Sequence, residues 1–235
     1  MAERNASGNE RVEISPSNAR NADSYIRILD TAGYCLIRGQ NSQHLFDAIC
    51  SELGQIIDSS DVVLREGSSR KIHNLYPIPA HNDCSYFADF VAWYCATGDG
   101  QAGAPFLVSV TNVLKRLGNA SIESLSHIYC KTHERNEYVP ILQEAAGELF
   151  FFYTPWYTSF EPNKENLRAV SDLNAAIELE RRSFGKELSL ETGNILLVND
   201  RKFFHGRDQL SAETKRHLVR RWIRRNEFAM VCGDA

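Results

Sequence analysis

His81 and Asp83 stand two apart in "IPAHNDCSY", residues 78–86, between a proline-bearing turn and an aromatic run. On an extended segment, residues i and i+2 face the same way. The spacing therefore aims one imidazole and one carboxylate at a single point. A second imidazole would complete a 2-His-1-carboxylate set, which holds Fe(II) and leaves coordination positions open for other ligands. A His-x-Asp pair alone is common in loops, so the third ligand must come from elsewhere in the chain.

His44 and His127 fall in helical segments and read as surface or packing residues. His73 reads as part of the strand before the motif. His133, in "HERNE", lacks the second histidine at helical spacing that a zinc-protease motif needs. His205, in "NDRKFFHGRDQL", reads as the point where a buried strand, "NILLVND", gives way to a turn, a suitable place for a ligand from a distant strand. Eleven residues on, Arg216 is the second residue of "KRHLVRRWIRR", which has six Lys and Arg residues in eleven. Period 2 puts Arg216, Leu218, Arg220, Trp222 and Arg224 on one face and His217, Val219, Arg221 and Ile223 on the other. Arginines on an inward face require anions, because an unpaired buried charge is costly. A 2-oxoacid that chelates the metal through C1 and C2 has a far carboxylate, and a bidentate arginine suits it. An edge strand with solvated arginines remains the alternative.

Other motifs carry less. "GDGQAG" (Gly98, Gly100, Gly103) has the G-x-G-x-x-G form, but "APFLVSV" follows it. A strand there cannot offer the helix N-terminus that holds a pyrophosphate. No Walker loop and no G-x-S-x-G elbow is present.

The elements that must position these residues are strand-rich. Helices are expected over residues 22–33, over "SQHLFDAICSELGQII" with Ser42 as N-cap, through "TNVLKRLG" into "SIESLSHIYC", and over "KENLRAVSDLNAAIELERRSFG" up to Gly185. Strands are expected at "YCLIRG", in "DVVLREGSSRKIHNLYPIP" on either side of a polar turn, at "YFADFVAWYCAT", at "PFLVSV", and along "KRHLVRRWIRR". "GELFFFYTPWYTSF" is extended and aromatic, and "SLETGNILLVNDRKFFHGRDQL" reads as turn, strand, turn.

With 235 residues, 43% hydrophobic and 24% charged, the chain can bury a sizeable core and is expected to form one domain. Residues 1–20 are expected to be a flexible segment. A net charge of −4 argues against a nucleic-acid partner. No long apolar run predicts a membrane span, and the polar N-terminus lacks the apolar core of a signal peptide. The six cysteines are scattered, with no C-x-x-C pair. Together these features predict a cytoplasmic protein with free thiols. "NAS" at Asn5 and Asn119 carries no weight as a glycan acceptor without secretion.

The chain resembles the TauD/TfdA-like Fe(II)/2-oxoglutarate-dependent dioxygenases of the clavaminate-synthase-like superfamily. The resemblance lies in "HNDCSYFADFVAWYC", "GQAGAPFLVSVTNVLKRL" and "LETGNILLVNDRKFFHGRDQLSAETKRHLVRRWIRR", and runs over about four-fifths of the chain. It implies a mainly β fold with helices (α+β): a double-stranded β-helix, or jelly roll, with helices packed on one side. It implies His81, Asp83 and His205 as iron ligands, with 2-oxoglutarate as cosubstrate and O2 as oxidant. Arg216 matches the arginine on the cosubstrate C5 carboxylate. Arg220 matches one near the C1 carboxylate or the substrate. Where family members carry a threonine that helps bind 2-oxoglutarate, this chain has Pro105; Ser109 or Thr111 is the expected replacement. Retention of Asp83, which related halogenases lack, points to hydroxylation, desaturation or ring closure of a small molecule in specialised metabolism.

Candidate substrate contacts are His73, Tyr76, Ser85, Tyr86, Trp156 and Arg207. Cys84 is expected to point away from the metal. Homo-oligomerisation is compatible with the sequence. The competing reading is a non-catalytic jelly-roll binding protein, which Pro105 alone favours. A nucleic-acid-modifying relative is suggested only by the arginine strand, and the acidic balance speaks against it.

Overall fold

Five consecutive buried residues, "ILLVN" at 195–199, require apolar partners on both faces of their strand. They have them. Ile195 and Leu197 join Tyr25, Leu29, Phe46 and Ile49 in one core. Leu196 and Val198 join Leu107, Leu190 and Leu218 in another. The strand therefore lies in a sheet covered on both sides, and the rest of the architecture follows from what does the covering.

The computed structural model describes residues 13–14, 22–83, 85–98, 103–132, 136–145, 147–160 and 162–226. In chain order the elements are β1 (Glu13–Ile14), α1 (Ala22–Thr31), β2 (Tyr34–Ile37), α2 (Gln43–Leu53), β3 (Gly54–Val63), β4 (Ile78–His81), β5 (Phe90–Thr97) and β6 (Pro105–Ser109). There follow α3 (Val110–Leu114), α4 (Asn119–Leu125), β7 (Tyr129–Lys131), β8 (Tyr138–Pro140), β9 (Leu142–Ala145), β10 (Glu148–Phe151) and β11 (Thr158–Ser159). The chain continues with α5 (Lys164–Phe184), β12 (Lys186–Glu187), β13 (Ile195–Asn199), β14 (Phe203–Arg207) and β15 (His217–Arg225).

Two sheets face each other. The larger has the order β1-β2-β13-β5-β15-β3, the smaller β12-β6-β14-β4. Apart from the parallel β1–β2 pair, their neighbours run antiparallel. This is the expected α+β jelly roll. The core between the sheets draws Leu107 and Phe203 from the smaller and Leu36, Leu196 and Leu218 from the larger.

The helices do not lie on one side. Helices α1 and α2 cover the outer face of the larger sheet. Helix α5 buries Ala169, Leu173, Ala176 and Ile177, at three- and four-residue spacing, in the core that also holds Phe106, Val108 and Phe204 of the smaller sheet. Two sheets with alternating inward residues leave two outer apolar faces, and each must be covered.

Local signals explain most boundaries. Ser42 caps α2 by accepting from the Leu45 N–H, and Asn163 caps α5 by accepting from the Asn166 N–H. Helix α2 stops at Leu53, so Ile56 belongs to β3 rather than to the helix. Residues 110–125 form two short helices instead of one. His73 is in a 3-10 turn (Lys71–His73), not a strand. His205 is in the middle of β14, beyond a turn at 200–202, so "NDRKFFHGR" contains a second strand. The expectations for residues 1–12 and 15–20 and for Cys84, His133 and Gly100 lie outside the described residues.

No helix among the described residues is long and apolar enough to cross a membrane. Cys35, Cys50, Cys95 and Cys130 are buried free thiols, and burial pushes Cys35 and Cys50 up to about 12.

Gly33 links α1 to β2 with φ of +80°, and a Cβ there would lie 2.5 Å from the Phe203 ring. Gly33→Ala therefore combines left-handed strain with a clash in the inter-sheet core. Urea unfolding should show a loss of about 1–3 kcal/mol.

Candidate metal centre

Strand register brings the two histidines together. In the β4–β14 pair, His205 lies directly opposite His81. Both rings enter the space between the sheets, with centroids 4.3 Å apart. The His81 Nδ1–H donates to the Pro79 carbonyl at 2.9 Å, since a carbonyl can only accept. That leaves Nε2 facing inward, 3.5 Å from Asp83 Oδ1. His205 Nε2 is 3.6 Å from Asp83 Oδ2. One ligand atom from each of the three residues lies within 4.8 Å of the others.

Asp83 reaches this point by a different route from the one the i, i+2 argument assumed. β4 ends at His81, and Asp83 is in a bend beyond it. Asn82, buried between the two, fixes the bend. Its Nδ2 donates to the Asp200 and Phe203 carbonyls at 2.6 and 3.2 Å, and its backbone N–H to the Tyr153 carbonyl. The Asp83 N–H in turn donates to Asp200 Oδ1 at 3.3 Å.

The Asp83 side chain is 10% exposed. Arg220 Nη1 donates to its Oδ2 at 2.6 Å, and the Trp222 indole N–H donates to the same oxygen at 3.0 Å. Burial alone would raise this carboxyl, but the Arg220 guanidinium and the two imidazoles outweigh it and hold it well below the usual carboxylate range. Burial, then the charge on His205, depresses His81. Burial opposes charge on His205 too, but the carboxylates of Asp200 and Asp83 overcome it and raise His205 to about 9. Asp200 Oδ1 stands 3.4 Å from His205 Nδ1, an electrostatic contact rather than a well-formed hydrogen bond.

Two cavities meet at these residues. The first runs between the sheets. It is lined by Trp93, Leu107, Leu196 and Leu218, with His81, Asp83 and His205 and the arginines Arg207, Arg216 and Arg220 also on its wall. Arg216 Nη1 donates to the Gly103 carbonyl at 2.7 Å. Arg207 donates to the Asn74 and Asp208 carbonyls, and its Nε has no hydrogen-bond partner. Burial, then the charge of Arg216, lowers Arg207 to about 10. Pro105 lines the same cavity and lies opposite Arg207 in the β6–β14 register. The second cavity, of about 340 Å³, opens on the other side of His81 and Asp83. Trp156 lines it, with its ring 4.9 Å from that of His81.

Of the substrate candidates, Trp156 and Arg207 are therefore at the cavities. His73, Tyr76, Ser85 and Tyr86 line neither. His73 is bonded through Nδ1 to the Val63 carbonyl, Ser85 donates to the Phe151 carbonyl, Tyr86 packs on Phe87 and Phe152, and Tyr76 is 73% exposed. Asn82, Asp200, Trp93 and Trp222 were not singled out. Trp222 alone had a signal, its place on the arginine face of the strand.

No protein-family model and no curated protein matches the sequence. Solved structures do match. Asparagine oxygenase (AsnO) superposes with a TM-score of 0.72 at 17% identity, covering 89% of this chain and 79% of its own. AsnO in complex with Fe(II), 2S,3S-3-hydroxyasparagine and succinate gives 0.71 at 16%, covering 88% and 79%. The non-heme iron oxygenase OrfP, in complex with Fe and alpha-ketoglutaric acid, gives 0.70 at 14%, covering 87% and 80%.

The chain has the fold of these iron oxygenases. The His-x-Asp…His set that carries the sequence resemblance is intact within that fold.

Titration of metal-free protein should report this geometry. A histidine with a raised folded value stabilises fully below its ordinary value and loses that contribution as pH climbs through about 9, the value His205 reaches. His81, held neutral, destabilises as pH falls below its ordinary value. The unfolding free energy should therefore peak near pH ~6.5. Asp200→Asn should flatten the alkaline fall.

Proposed function

We propose that the chain is an Fe(II)- and 2-oxoglutarate-dependent oxygenase acting on a small molecule. The observation that carries this reading is the pairing of two features in one cavity. Three inward-facing ligand atoms lie within 4.8 Å of one another, and guanidinium groups share the cavity wall with them.

The donor set fits iron. Two imidazole nitrogens and one ionised carboxylate, with room in front of them, suit a non-haem Fe(II) site. Burial favours the neutral form of His81, and its tautomer is fixed by Pro79. Arg220 and Trp222 both engage Asp83 Oδ2, leaving Oδ1 for the metal. Asp83 also fills the position that a halide would need, which favours oxygen insertion, desaturation or ring closure over halogenation.

The far end of the cavity fits a dicarboxylate. Arg216 and Arg207 are close enough to repel each other, and an anion between them relieves that cost. Arg207 stands across the β-ladder from Pro105. We assign it the role of the missing hydroxyl, as a second partner for the cosubstrate C5 carboxylate. Neither Ser109 nor Thr111 is among the described residues lining this cavity, so neither serves in its place.

With iron and 2-oxoglutarate bound, the chemistry on offer is oxidation of a substrate C–H bond by O2, with release of succinate and CO2. The protein's share is positioning. Trp93, Leu107, Leu196 and Leu218 keep water from the cosubstrate, and the second cavity presents the substrate beside His81 and Asp83. AsnO and OrfP were solved with hydroxylated amino acids, which supports a substrate of about that size.

Anaerobic addition of Fe(II) and 2-oxoglutarate should produce a weak metal-to-ligand absorption band. His81→Ala should abolish it. Arg216→Ala and Arg207→Ala should each raise the 2-oxoglutarate concentration needed by at least about tenfold. If no band forms in the parent protein and His81→Ala changes nothing, the reading is wrong.

A further inference from the structure

The second cavity has an uneven charge. Arg70, Lys71 and Lys131 line it, and Asp58 is the one carboxylate among its described lining residues besides Asp83, which is already paired with Arg220. Several cations elsewhere on the protein do have acids beside them: Arg168 with Asp172, Arg182 with Glu178, Arg181 with Asp208, Arg221 with Asp47. Arg70, Lys71 and Lys131 have no ion pair among the described residues. Acids are not scarce, for the chain is negative overall. Yet these three cations, from the 3-10 turn and its flank and from β7, converge on one cleft without them.

The cleft is tied to the metal centre through an aromatic ring. Lys71 Nζ lies 5.3 Å from the centre of the Trp156 ring, which itself packs on His81. A lysine over a ring remains free to bind an anion with its other protons, and the ring face keeps it over the cleft. Phe152, Tyr157 and Trp222 add apolar wall.

We propose that this cleft selects a substrate with net negative charge, anchored by Arg70, Lys71 and Lys131 at the end remote from the carbon that faces His81 and Asp83. This rests on the oxygenase reading for where the reacting carbon lies. Three cations against one carboxylate best complement a molecule carrying a phosphate or a second carboxylate. The single Asp58 is available for one ammonium group. A substrate ending in a guanidinium would meet the three cations directly and is excluded.

Protein loaded anaerobically with Fe(II) and saturating 2-oxoglutarate is titrated with O-phospho-L-serine, L-aspartate, L-asparagine and L-arginine, with binding read by tryptophan fluorescence and calorimetry. The anionic probes should bind at least about tenfold tighter than L-asparagine, weaken as salt rises, and lose about five- to tenfold in Lys71→Gln and in Lys131→Gln. Lys71→Arg should restore the loss at that position. Preference for phosphoserine identifies a phosphate-bearing substrate; equal binding of aspartate identifies a second carboxylate. L-Arginine or L-asparagine binding as tightly as the anions overturns the proposal, as does indifference to both lysine changes or failure of every probe to bind. The Fe(II)–2-oxoglutarate band is read on the same samples. Anion selectivity without that band overturns the oxygenase reading and leaves the charge assignment of the cleft standing.

Discussion

A carboxylate removed from water costs several kcal/mol unless its surroundings return the interactions it lost. Asp83 is such a group, and the surrounding strands are arranged to satisfy it. Arg220 and Trp222 reach it from β15 on the larger sheet. His81 and His205 reach it from the smaller sheet. The two sheets thus meet across one negative charge. Removing that charge would leave Arg220 buried without its partner, and removing Arg220 would leave the charge exposed to a low dielectric.

This interaction depends on alternation along β15. Arg216, Leu218 and Arg220 line the inter-sheet cavity, while Val219 and Ile223 enter the core with α1 and α2. A slip of one residue would exchange the two sets and put guanidiniums among leucines. The apolar half of the strand therefore fixes the polar half, and the helices on the outer face take part in aiming the arginines. The same logic sets His81 and His205 side by side, because β4 and β14 each have an apolar outer face held by the core around Phe204.

Much of this was legible in residue order. The period-2 face of "KRHLVRRWIRR", the cap at Ser42, and the conjunction of His81, Asp83, His205 and Arg216 all follow from local rules. Other features were not legible, for identifiable reasons. His205 looked like a turn residue because "NDRK" is a strong turn signal and hides the short strand that follows. Asp83 was assigned to a strand, whereas a bend delivers it. That bend is held by Asn82 on carbonyls more than a hundred residues away, which no local pattern encodes. Nearness to His205 and polar character group Arg207 with substrate contacts; its neighbour across the ladder, Pro105, is apparent only from the register. Helix placement on both outer faces depends on counting faces to be covered, which requires the sheet order.

Strand β4 is the last in its sheet, with β14 on one side and no strand among the described residues on the other. It is four residues long and ends at His81. Edge strands open locally at a small fraction of the free energy of global unfolding. A metal bridging β4 and β14 would then act as a staple on an edge seam of the smaller sheet. Its residence time would be governed by the fraying of this edge, and amide exchange along residues 78–81 would slow when the staple is in place.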